Sequence, residues 1–371
     1  MKIIAFYLPQ FHEVKENNEW WGNGFTEWTN VKTSNPTFKG QNMPRVPLNK
    51  NYYNLTDVDT LKWQAAIAKK YGIYGFAYYH YWSEGNMLLE KPAEIMLKNK
   101  NVDIPFCFSW ANHTWTRCWA DKTDEILWEQ KYGDKIDWKK HFEYLLPFFK
   151  DERYIRIDGK PLMILYNPIN VKEFPSMMEY WQELAKKNNL PGICFVNQEN
   201  RYNHETESSG VGYSYGIEFQ MNRAVREFMR KSFAFKCERV LNRIADKIPV
   251  LRCKATTMHY TYDQIWNIIL RQKPIGQTWF PGAFVDWDNT PRRKNRGQVC
   301  IGATPEKFEN YLTKQIERAR NVYKKDYLFM FAWNEWGESG YLEPDEKYKY
   351  GMLEAVKKSL IATNEWANIN D

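Results

Sequence analysis

The sequence predicts a single (β/α)8 barrel, because short apolar segments of strand length alternate with longer segments of helical period. Eight strand-like segments recur along the chain, and most are apolar on both faces, as buried parallel strands are. No glycine-rich phosphate-binding motif follows any of them, which disfavours an open nucleotide-binding sheet. These observations together favour a closed barrel of class α/β.

The predicted elements cover the whole chain. The strands are expected at 3–8, 74–82, 104–110, 161–166, 192–197, 213–219, 278–285 and 326–333. The helices are expected at 57–71, 90–100, 136–149, 176–189, 223–246, 260–272, 305–324 and 346–361. Cap signals support several of these starts, such as Thr56 before the first helix, Ser176 after Pro175 at the fourth and Thr304 before the seventh. No linker rich in Pro, Gly or Ser divides the chain, so we expect one domain over 1–371.

The composition excludes several classes of function. The net charge of +7 is a modest surplus and does not indicate nucleic-acid binding. The six cysteines lack metal-ligand spacing, and the first residues lack the apolar run and cleavage site of a signal peptide. We therefore expect a cytoplasmic protein with reduced thiols, no metal and no cofactor. The 17 tryptophans favour a large aromatic core, a ligand cleft, or both.

Two segments are longer than a minimal barrel needs. Residues 9–55 form a long polar and aromatic connection after the first strand, on the face where barrel enzymes hold their active sites. Residues 223–254 contain ten Lys and Arg against three acidic residues, with apolar side chains at helical intervals. Two interpretations of 223–254 stay open: a barrel helix with an insertion, or a basic helical segment that contacts an anionic membrane surface.

Two glutamates follow the last predicted strand. The segment "FAWNEWGESGYLEP", residues 331–344, places Glu335 and Glu338 three positions apart among indole rings. Partial burial and mutual repulsion are expected to keep one carboxyl protonated while the other is ionised. An acid and an anion in one cleft are what glycosidic bond cleavage requires. The structural alternative is a solvated turn in which Glu335 caps the next helix.

Aromatic and polar residues near the ends of the other strands complete a candidate saccharide site. Indole and phenol rings suit the apolar faces of a sugar, and amides, carboxylates and histidine suit its hydroxyls. The candidate substrate-binding residues are Trp28, His80, Tyr81, Trp110, Asn112, Tyr166, Glu218, Asp286, Trp287, Trp333 and Asn334. A structural role is the alternative for each, since His80 also suits a buried core and tyrosines also fill barrels.

Six sequence blocks between about residue 3 and residue 345 together resemble one family. They are "YLPQFH…NEWWGNGFTEWTNV", "YGIYGFAYYHYW", "FSWANHTWTRCW", "LLPFFKDERYIRIDGKPLMILY", "DWDNTPRR" and "AWNEWGESGYLEP". The chain is similar to the WbsX-type proteins, which are often described as glycosyltransferases and occur with bacterial surface-polysaccharide genes. That family is related to glycoside hydrolase family 99, the endo-α-mannosidases and endo-α-mannanases. The resemblance implies a (β/α)8 barrel and a retaining mechanism.

The resemblance also implies roles for the two glutamates. Glu335-Trp336-Gly337-Glu338 matches the Glu-Trp-x-Glu element of family 99. By that match, Glu338 protonates the leaving oxygen, and Glu335 deprotonates the sugar 2-hydroxyl, which attacks the anomeric carbon through an epoxide-like intermediate. The residues alone equally allow Glu335 as a direct nucleophile. One block departs from the family, because His113 stands where relatives have a glutamate, and sugar preference is therefore not transferred.

Three functions are compatible with these patterns. The first is a retaining glycosidase or transglycosidase that acts on an oligo- or polysaccharide. The hypothesis for its substrate is a lipid-linked precursor at the inner membrane face. The second is a glycosyltransferase of O-antigen or capsule biosynthesis, in which the Asp286-Trp287-Asp288 triplet holds a cation and Arg292, Arg293, Lys294 and Arg296 contact phosphates. The third is a non-catalytic glycan-binding protein, which the paired glutamates disfavour.

Overall fold

The computed structural model describes residues 1–117, 125–168, 171–199, 212–231, 240, 244 and 257–366. Eight parallel strands form a barrel, which confirms the predicted fold class, and each lies within two residues of its predicted ends. The strands are β1 Lys2–Tyr7, β2 Ile73–Ser83, β3 Phe106–Trp110, β4 Lys160–Leu165, β5 Cys194–Gln198, β6 Tyr215–Ile217, β7 in two parts (Trp279–Phe280 and Gly282–Phe284) and β8 Tyr327–Phe331.

The barrel closes through the two parts of β7. Trp279–Phe280 pairs with β6 and Gly282–Phe284 pairs with β8, while β8 pairs with β1. Pro281 separates the two parts, because proline has no N–H for the ladder, yet its carbonyl still accepts the Phe329 N–H at 3.1 Å. All pairings between barrel strands are parallel, so the carboxyl ends of the strands meet at one face.

Helices surround the strands. They are α1 Val58–Lys70, α2 Lys91–Lys98, α3 Lys135–Phe149, α4 Phe174–Lys187, α5 Asn222–Lys231, α6 Tyr262–Arg271, α7 Pro305–Arg318 and α8 Gly351–Ala362. Thr304 caps α7 as predicted, but α1 is capped by Asp57, whose carboxylate accepts the Asp59 N–H at 3.0 Å, and not by Thr56. Within the described ranges, no helix combines the length and apolar composition needed to cross a bilayer.

Shorter elements build the carboxyl-terminal face. The long connection after β1 contains the helices Lys15–Trp21 and Glu27–Lys32. Short strand pairs join Trp115–Thr116 to Ile126–Trp128, Met258–Thr261 to Gln298–Ile301, and Asn334–Glu335 to Gly340–Tyr341. The connection after β7 contains the one-turn helix Thr290–Arg293. These segments supply the candidate site.

Aromatic side chains fill the barrel. Between ring centroids, Phe6 of β1 lies 5.4 Å from Phe219, which follows β6, and 6.1 Å from Phe329 of the neighbouring strand β8. All three are at least 95% buried. The removal of such apolar surface from water is the main stabilising contribution to the fold. The closely packed rings form a rigid layer beneath the carboxyl-terminal face.

The basic segment 223–254 is described mainly at its start. α5 begins at Asn222 and turns Arg223 and Arg226 toward the barrel, where they form ion pairs with Glu218 and Glu199. Apart from Val240 and Ile244, which are helical and exposed, the segment beyond Lys231 lies outside the described residues. Its contact with a membrane remains a prediction.

Candidate functional site

Glu335 and Glu338 lie on a tight turn directly after β8. The turn is a single 3-10 helix, Trp336–Glu338. Asn334 anchors its base, because its Oδ1 accepts the Leu8 N–H at 2.7 Å and its Nδ2 donates to the Leu8 carbonyl at 3.0 Å. Both glutamates are therefore held beside the end of β1, at the carboxyl-terminal face of the barrel.

One guanidinium contacts three carboxylates at this turn. Arg292 donates from Nε to Oε1 of Glu27 at 2.8 Å and from Nη2 to Oε1 of Glu335 at 2.6 Å. Its Nη1 lies 3.3 Å from Oε1 of Glu338. The Arg292 side chain is 9% exposed and that of Glu27 is fully buried, so water screens these charges weakly.

The charge balance of the cluster favours a retained proton. Burial raises the pKa of both Glu335 and Glu338, and Arg292 counteracts this only in part, since Glu27 adds a further negative charge. The three carboxylates in turn hold the pKa of Arg292 well above its ordinary value, although burial opposes this. With three carboxyls around one permanent cation, the pair titrates as a unit and supplies an acid and an anion together near neutral pH.

Tyrosines of β2 face the same cluster. Burial raises the pKa of Tyr79 and Tyr81, and the charge of Glu335 raises both further, which places the two phenols within electrostatic reach of that carboxylate. Tyr166 is half-buried, and its ring lies 5.3 Å from that of the exposed His113. Glu338, whose side chain is 23% exposed, and the half-buried Tyr79 and Tyr166 form the accessible side of the site, whereas Tyr81 is buried.

The long first connection forms one wall, on the face where the sequence predicts it. The Glu27 N–H donates to the Gln10 carbonyl at 3.0 Å, which fixes the start of helix Glu27–Lys32. Trp28 packs against Trp336 with ring centroids 5.4 Å apart. Trp28 is 4% exposed, so it supports the glutamate turn from behind and does not line the accessible side.

Two predicted substrate contacts lie in the layer between barrel and helices. Nε2 of His80 is 2.8 Å from Nε2 of His141 on α3, and burial lowers the pKa of His80 to about 3. The Trp110 indole N–H donates to the Trp82 carbonyl at 3.1 Å, and its ring packs on His141. These placements favour the structural alternative for His80 and Trp110, because both side chains point away from the carboxylates.

Asn112 and Glu218 have their polar atoms engaged by the protein. Asn112 donates to the Asn167 carbonyl at 2.7 Å and accepts the Asn167 N–H at 2.8 Å. Glu218 accepts from Arg223 and from the Tyr323 hydroxyl, the latter at 2.7 Å. Both residues connect loops and helices to the barrel, and neither offers a free hydrogen-bonding group to a sugar.

Two tryptophans of the predicted site differ in their surroundings. Trp333 is fully buried and packs against Phe76 with ring centroids 5.0 Å apart. Trp287 lies above the barrel interior, 5.4 Å from the Phe331 ring, and its indole nitrogen has no partner among the described residues. The Trp333 indole nitrogen likewise has no partner among the described residues, so both donors are buried, and the two residues differ only in that Trp287 is 7% exposed and Trp333 belongs to the core.

The Asp286-Trp287-Asp288 triplet does not fit a divalent cation. Asp286 accepts from Nη2 of Arg45 at 2.7 Å, and Asp288 accepts from Gln41 at 2.7 Å and from the Thr290 hydroxyl at 2.6 Å. In the part of the chain that the structure describes, no group of three or more His, Cys, Asp or Glu side chains is arranged to bind a metal. The triplet instead attaches the first connection to the barrel.

Glu27 is a site residue that no local sequence signal marks. An acidic residue at the first position of a short helix is common, because it stabilises the helix N-terminus, and nothing in the local pattern shows that it is buried. The glycosyltransferase alternative predicts that Arg292 contacts phosphate, but its donors are directed at the three glutamates. A buried glutamate needs a counter-charge, and only the tertiary contact shows which arginine provides it.

Solved structures share the barrel. The endo-α-mannosidase of glycoside hydrolase family 99 from Bacteroides thetaiotaomicron, in complex with bis-tris-propane, superposes with a TM-score of 0.56 at 12% identity, over 99% of this chain and 98% of that one. A glycoside hydrolase-like protein gives a TM-score of 0.59 at 11% identity, over 96% of this chain and 93% of that one. At such identities the likeness concerns the fold.

Sequence comparison identifies the family. The uncharacterized protein WxcX of Xanthomonas campestris pv. campestris, in each of two strains, is 29% identical over 367 residues. The match covers 96% of this chain but 49% of WxcX, so the chain spans about half the length of these curated relatives. The family model described as glycosyltransferase WbsX matches residues 3–356. The chain therefore belongs to the WbsX glycosyltransferase family.

Proposed function

We propose that the protein is a retaining carbohydrate-active enzyme that cleaves, or transfers across, an α-glycosidic bond of a bacterial surface polysaccharide or its precursor. The observation that carries the proposal is the shared contact of Glu335 and Glu338 with one guanidinium, at the carboxyl end of β8. Such a pair supplies both the proton and the anion that the reaction needs. Mannosidic substrates are the first to test, because a family 99 endo-α-mannosidase shares the fold, but the fold does not determine the sugar.

The first step breaks the glycosidic bond. Glu338, in its acid form, donates its proton to the leaving oxygen as the bond to the anomeric carbon breaks. Glu335, ionised, takes the proton of the 2-hydroxyl, whose oxygen closes on the anomeric carbon. The greater exposure of Glu338, 23% against 5% for Glu335, suits a group that reaches the leaving oxygen at the mouth of the site.

The second step opens the three-membered intermediate. Water or an acceptor hydroxyl attacks the anomeric carbon and loses its proton to Glu338, while the 2-oxygen takes its proton back from Glu335. Two inversions at the anomeric carbon give net retention. Direct attack by Glu335 is the alternative for the first step, and it gives the same stereochemical outcome.

A glycosyltransferase that uses an activated sugar is the second candidate, and the family description favours it. Its expected cation ligands, Asp286 and Asp288, are bound by Arg45, Gln41 and Thr290. Arg292, expected to contact phosphate, contacts three carboxylates. The glycosidase proposal accounts for these contacts without rearrangement.

Calorimetric titration with isofagomine, an imino sugar whose nitrogen stands in for the anomeric carbon, tests the proposal. Because isofagomine lacks the 2-hydroxyl, its binding reports a glycosidase-type site and not the sugar. We expect binding by the wild type, at least tenfold weaker binding by Glu335→Gln and by Glu338→Gln, and unchanged binding by Glu354→Gln, which alters an exposed glutamate of α8. Absence of binding, with Mn²⁺-dependent uptake of a sugar nucleotide that Asp286→Asn or Asp288→Asn abolishes, would establish the transferase instead.

The substrate at the inner membrane face is part of the proposal. Its support is the charge of 223–254, ten basic residues against three acidic ones. Because Arg226 is paired with Glu199, the informative charge reversals are at Arg230, Arg239 and Arg243. Flotation with phosphatidylglycerol vesicles at low salt should recover the wild type and lose this triple variant. Equal recovery of both proteins, or of neither, would refute membrane contact through this segment.

A further inference from the structure

The three donor nitrogens of Arg292 are divided among three glutamates. Nη2 and Nη1 face the proposed catalytic pair, at 2.6 Å from Glu335 and 3.3 Å from Glu338. Nε is occupied by Glu27, at 2.8 Å. A guanidinium is planar, so a carboxylate on Nε fixes the direction in which the two Nη groups point. Glu27 therefore determines how Arg292 meets the pair.

The position of Glu27 is fixed independently of Arg292. Its N–H is bound by the Gln10 carbonyl, and the next residue, Trp28, packs on Trp336 of the glutamate turn. The Glu27 side chain is fully buried, so the ion pair with Arg292 exchanges little with water. The contact joins three connections, those after β1, β7 and β8, at a single point.

We propose that Glu27 is a positioning residue which, through Arg292, aligns Glu335 and Glu338 and keeps one proton on the pair. The inference rests on the proposed function, because it assigns a purpose to a pair whose chemistry is itself proposed. Glu27 does not touch the reacting atoms. It acts by offsetting part of the Arg292 charge and by holding the guanidinium in one orientation.

Glu27 adds one negative charge to the cluster around Arg292. If Arg292 faced only Glu335 and Glu338, a fully ionised pair would leave one net negative charge. With Glu27 ionised, the same pair leaves two net negative charges in a buried site, which is more costly. Retention of a proton relieves that cost. Glu27 thus favours the state with one acid and one anion that a retaining mechanism requires.

Other titratable and charged groups also face the pair. Arg293, in the connection after β7, lowers the pKa of Glu338, in opposition to Glu27. Tyr79 and Tyr81 on β2 are phenols whose pKa is raised by burial, so they are neutral near pH 7. Glu27 is the added negative charge that raises the pKa of both glutamates, and its removal has a predictable sign.

Substitution of Glu27 by glutamine provides the test, because it keeps the size and an acceptor oxygen for Nε while it removes the charge. Carbon-13 NMR of protein labelled at glutamate carboxyls gives the titration midpoints of Glu335 and Glu338, assigned through Glu335→Gln and Glu338→Gln. Glu27→Gln should lower both midpoints by about 1 to 3 pH units. Glu354→Gln is the matched control and should change neither.

A second variant keeps the test decisive if Glu27→Gln does not fold. Glu27→Asp keeps the charge and shortens the side chain by one methylene, so the midpoints should stay raised while isofagomine binds more weakly. A fall in the midpoints of Glu27→Asp as large as that expected for charge removal would overturn the inference. Unchanged midpoints in a folded Glu27→Gln protein would overturn it as well.

The NMR titration needs no substrate, which separates this inference from the proposed function. If the Glu27→Gln midpoints fall but the wild type does not bind isofagomine, Glu27 controls the pair and the glycosidase proposal is wrong. If the wild type binds isofagomine and the midpoints do not respond to Glu27, the proposed function stands and the role of Glu27 is refuted.

Discussion

Gly337 lies directly against the carboxylate of Glu27. A β-carbon built on Gly337 would stand 2.0 Å from Oε1 of Glu27 and 2.7 Å from Nε of Arg292. Both distances are shorter than non-bonded atoms tolerate. Glycine is therefore required between Trp336 and Glu338 because of this close approach, not because the backbone is left-handed there.

Gly337→Ala should displace the Glu27–Arg292 ion pair. We expect the free energy of unfolding to fall by about 1 to 3 kcal/mol, because the added methyl group forces buried neighbours apart. Isofagomine affinity should fall at least tenfold. Urea unfolding and calorimetry measure the two effects, and wild-type affinity in Gly337→Ala would contradict the described contact.

The control for this prediction lies two residues further along the same turn. Ser339 has a φ of +57°, and its hydroxyl has no partner among the described residues. Ser339→Gly relieves the left-handed conformation without filling any space. It should leave the isofagomine affinity unchanged.

Arg292→Met should make the stability strongly dependent on pH. Removal of the cation leaves Glu27, Glu335 and Glu338 buried without a counter-charge, at a cost of about 3 to 5 kcal/mol when they are ionised. The pKa values of Glu335 and Glu338, already raised by burial, then rise further because Arg292 no longer lowers them, so stability is kept at low pH and lost as pH increases. Urea unfolding at pH 5 and pH 8 should show the larger loss at pH 8.

Arg293 provides the comparison for Arg292, because it is adjacent in the chain but exposed. Arg293→Met should change the free energy of unfolding by less than about 1 kcal/mol, as surface charges usually do. An equal effect of the two substitutions would show that the contacts of Arg292 with the three glutamates are not the source of the loss.

His80 and His141 should destabilise the protein in acid. Burial lowers the pKa of His80 to about 3, and the pKa of His141 is lowered for the same reason. A histidine whose pKa is lower in the folded than in the unfolded protein costs no stability above pH 6.5. As pH falls below 6.5, the free energy of unfolding decreases, by about 2 kcal/mol for each ring at pH 5. His80→Gln should reduce this acid loss in urea unfolding between pH 7 and pH 5.

The same variant tests the structural placement of His80. Because the imidazole faces His141 and not the carboxylates, His80→Gln should bind isofagomine as tightly as the wild type at pH 7. His259→Gln, at an exposed histidine, should leave the acid loss unchanged. A large fall in affinity for His80→Gln alone would restore it as a substrate contact.

Glu343 should give the opposite dependence on pH. It accepts hydrogen bonds from Tyr53, Gln64 and Trp336, each at 2.7 Å, yet burial raises its pKa to about 7. Because the pKa of Glu343 is higher in the folded than in the unfolded protein, its contribution to the free energy of unfolding is fully present below about pH 4.5. That contribution is lost as pH rises through 7, by up to about 3 kcal/mol. In urea unfolding, Glu343→Gln should lose less stability than the wild type between pH 5 and pH 8. An identical loss in both proteins would contradict a raised pKa of Glu343.

The barrel could be predicted because its strands are local features of the sequence. Segments of strand length that are apolar on both faces, separated by helical periods, identify β1 to β8 without any long-range information. The details that differ depend on single residues. Pro281 interrupts β7 because it has no N–H to donate. Asp57 caps α1 in place of Thr56 because its carboxylate accepts the Asp59 N–H in the folded chain.

The direction of individual side chains was harder to predict. In "YYHYW", neighbouring residues point to opposite faces of β2, so Tyr79 and Tyr81 face the carboxylates while His80 faces α3. In a strand with one solvated face, apolar and polar residues alternate, and this alternation shows which side chains point inward. In a barrel strand both faces are buried, and the sequence carries no signal that separates the inner face from the outer one.

The sequence by itself determined the barrel and the placement of Glu335 and Glu338 after its last strand, because both follow from local periodicity and spacing. Only the tertiary structure decided that Glu27 and Arg292 join them. These two residues are separated by 265 positions, on the connections after β1 and β7. Local patterns do not encode which loops meet. The barrel brings them together because parallel strands direct all their carboxyl ends to one face, where buried carboxylates require a shared counter-charge.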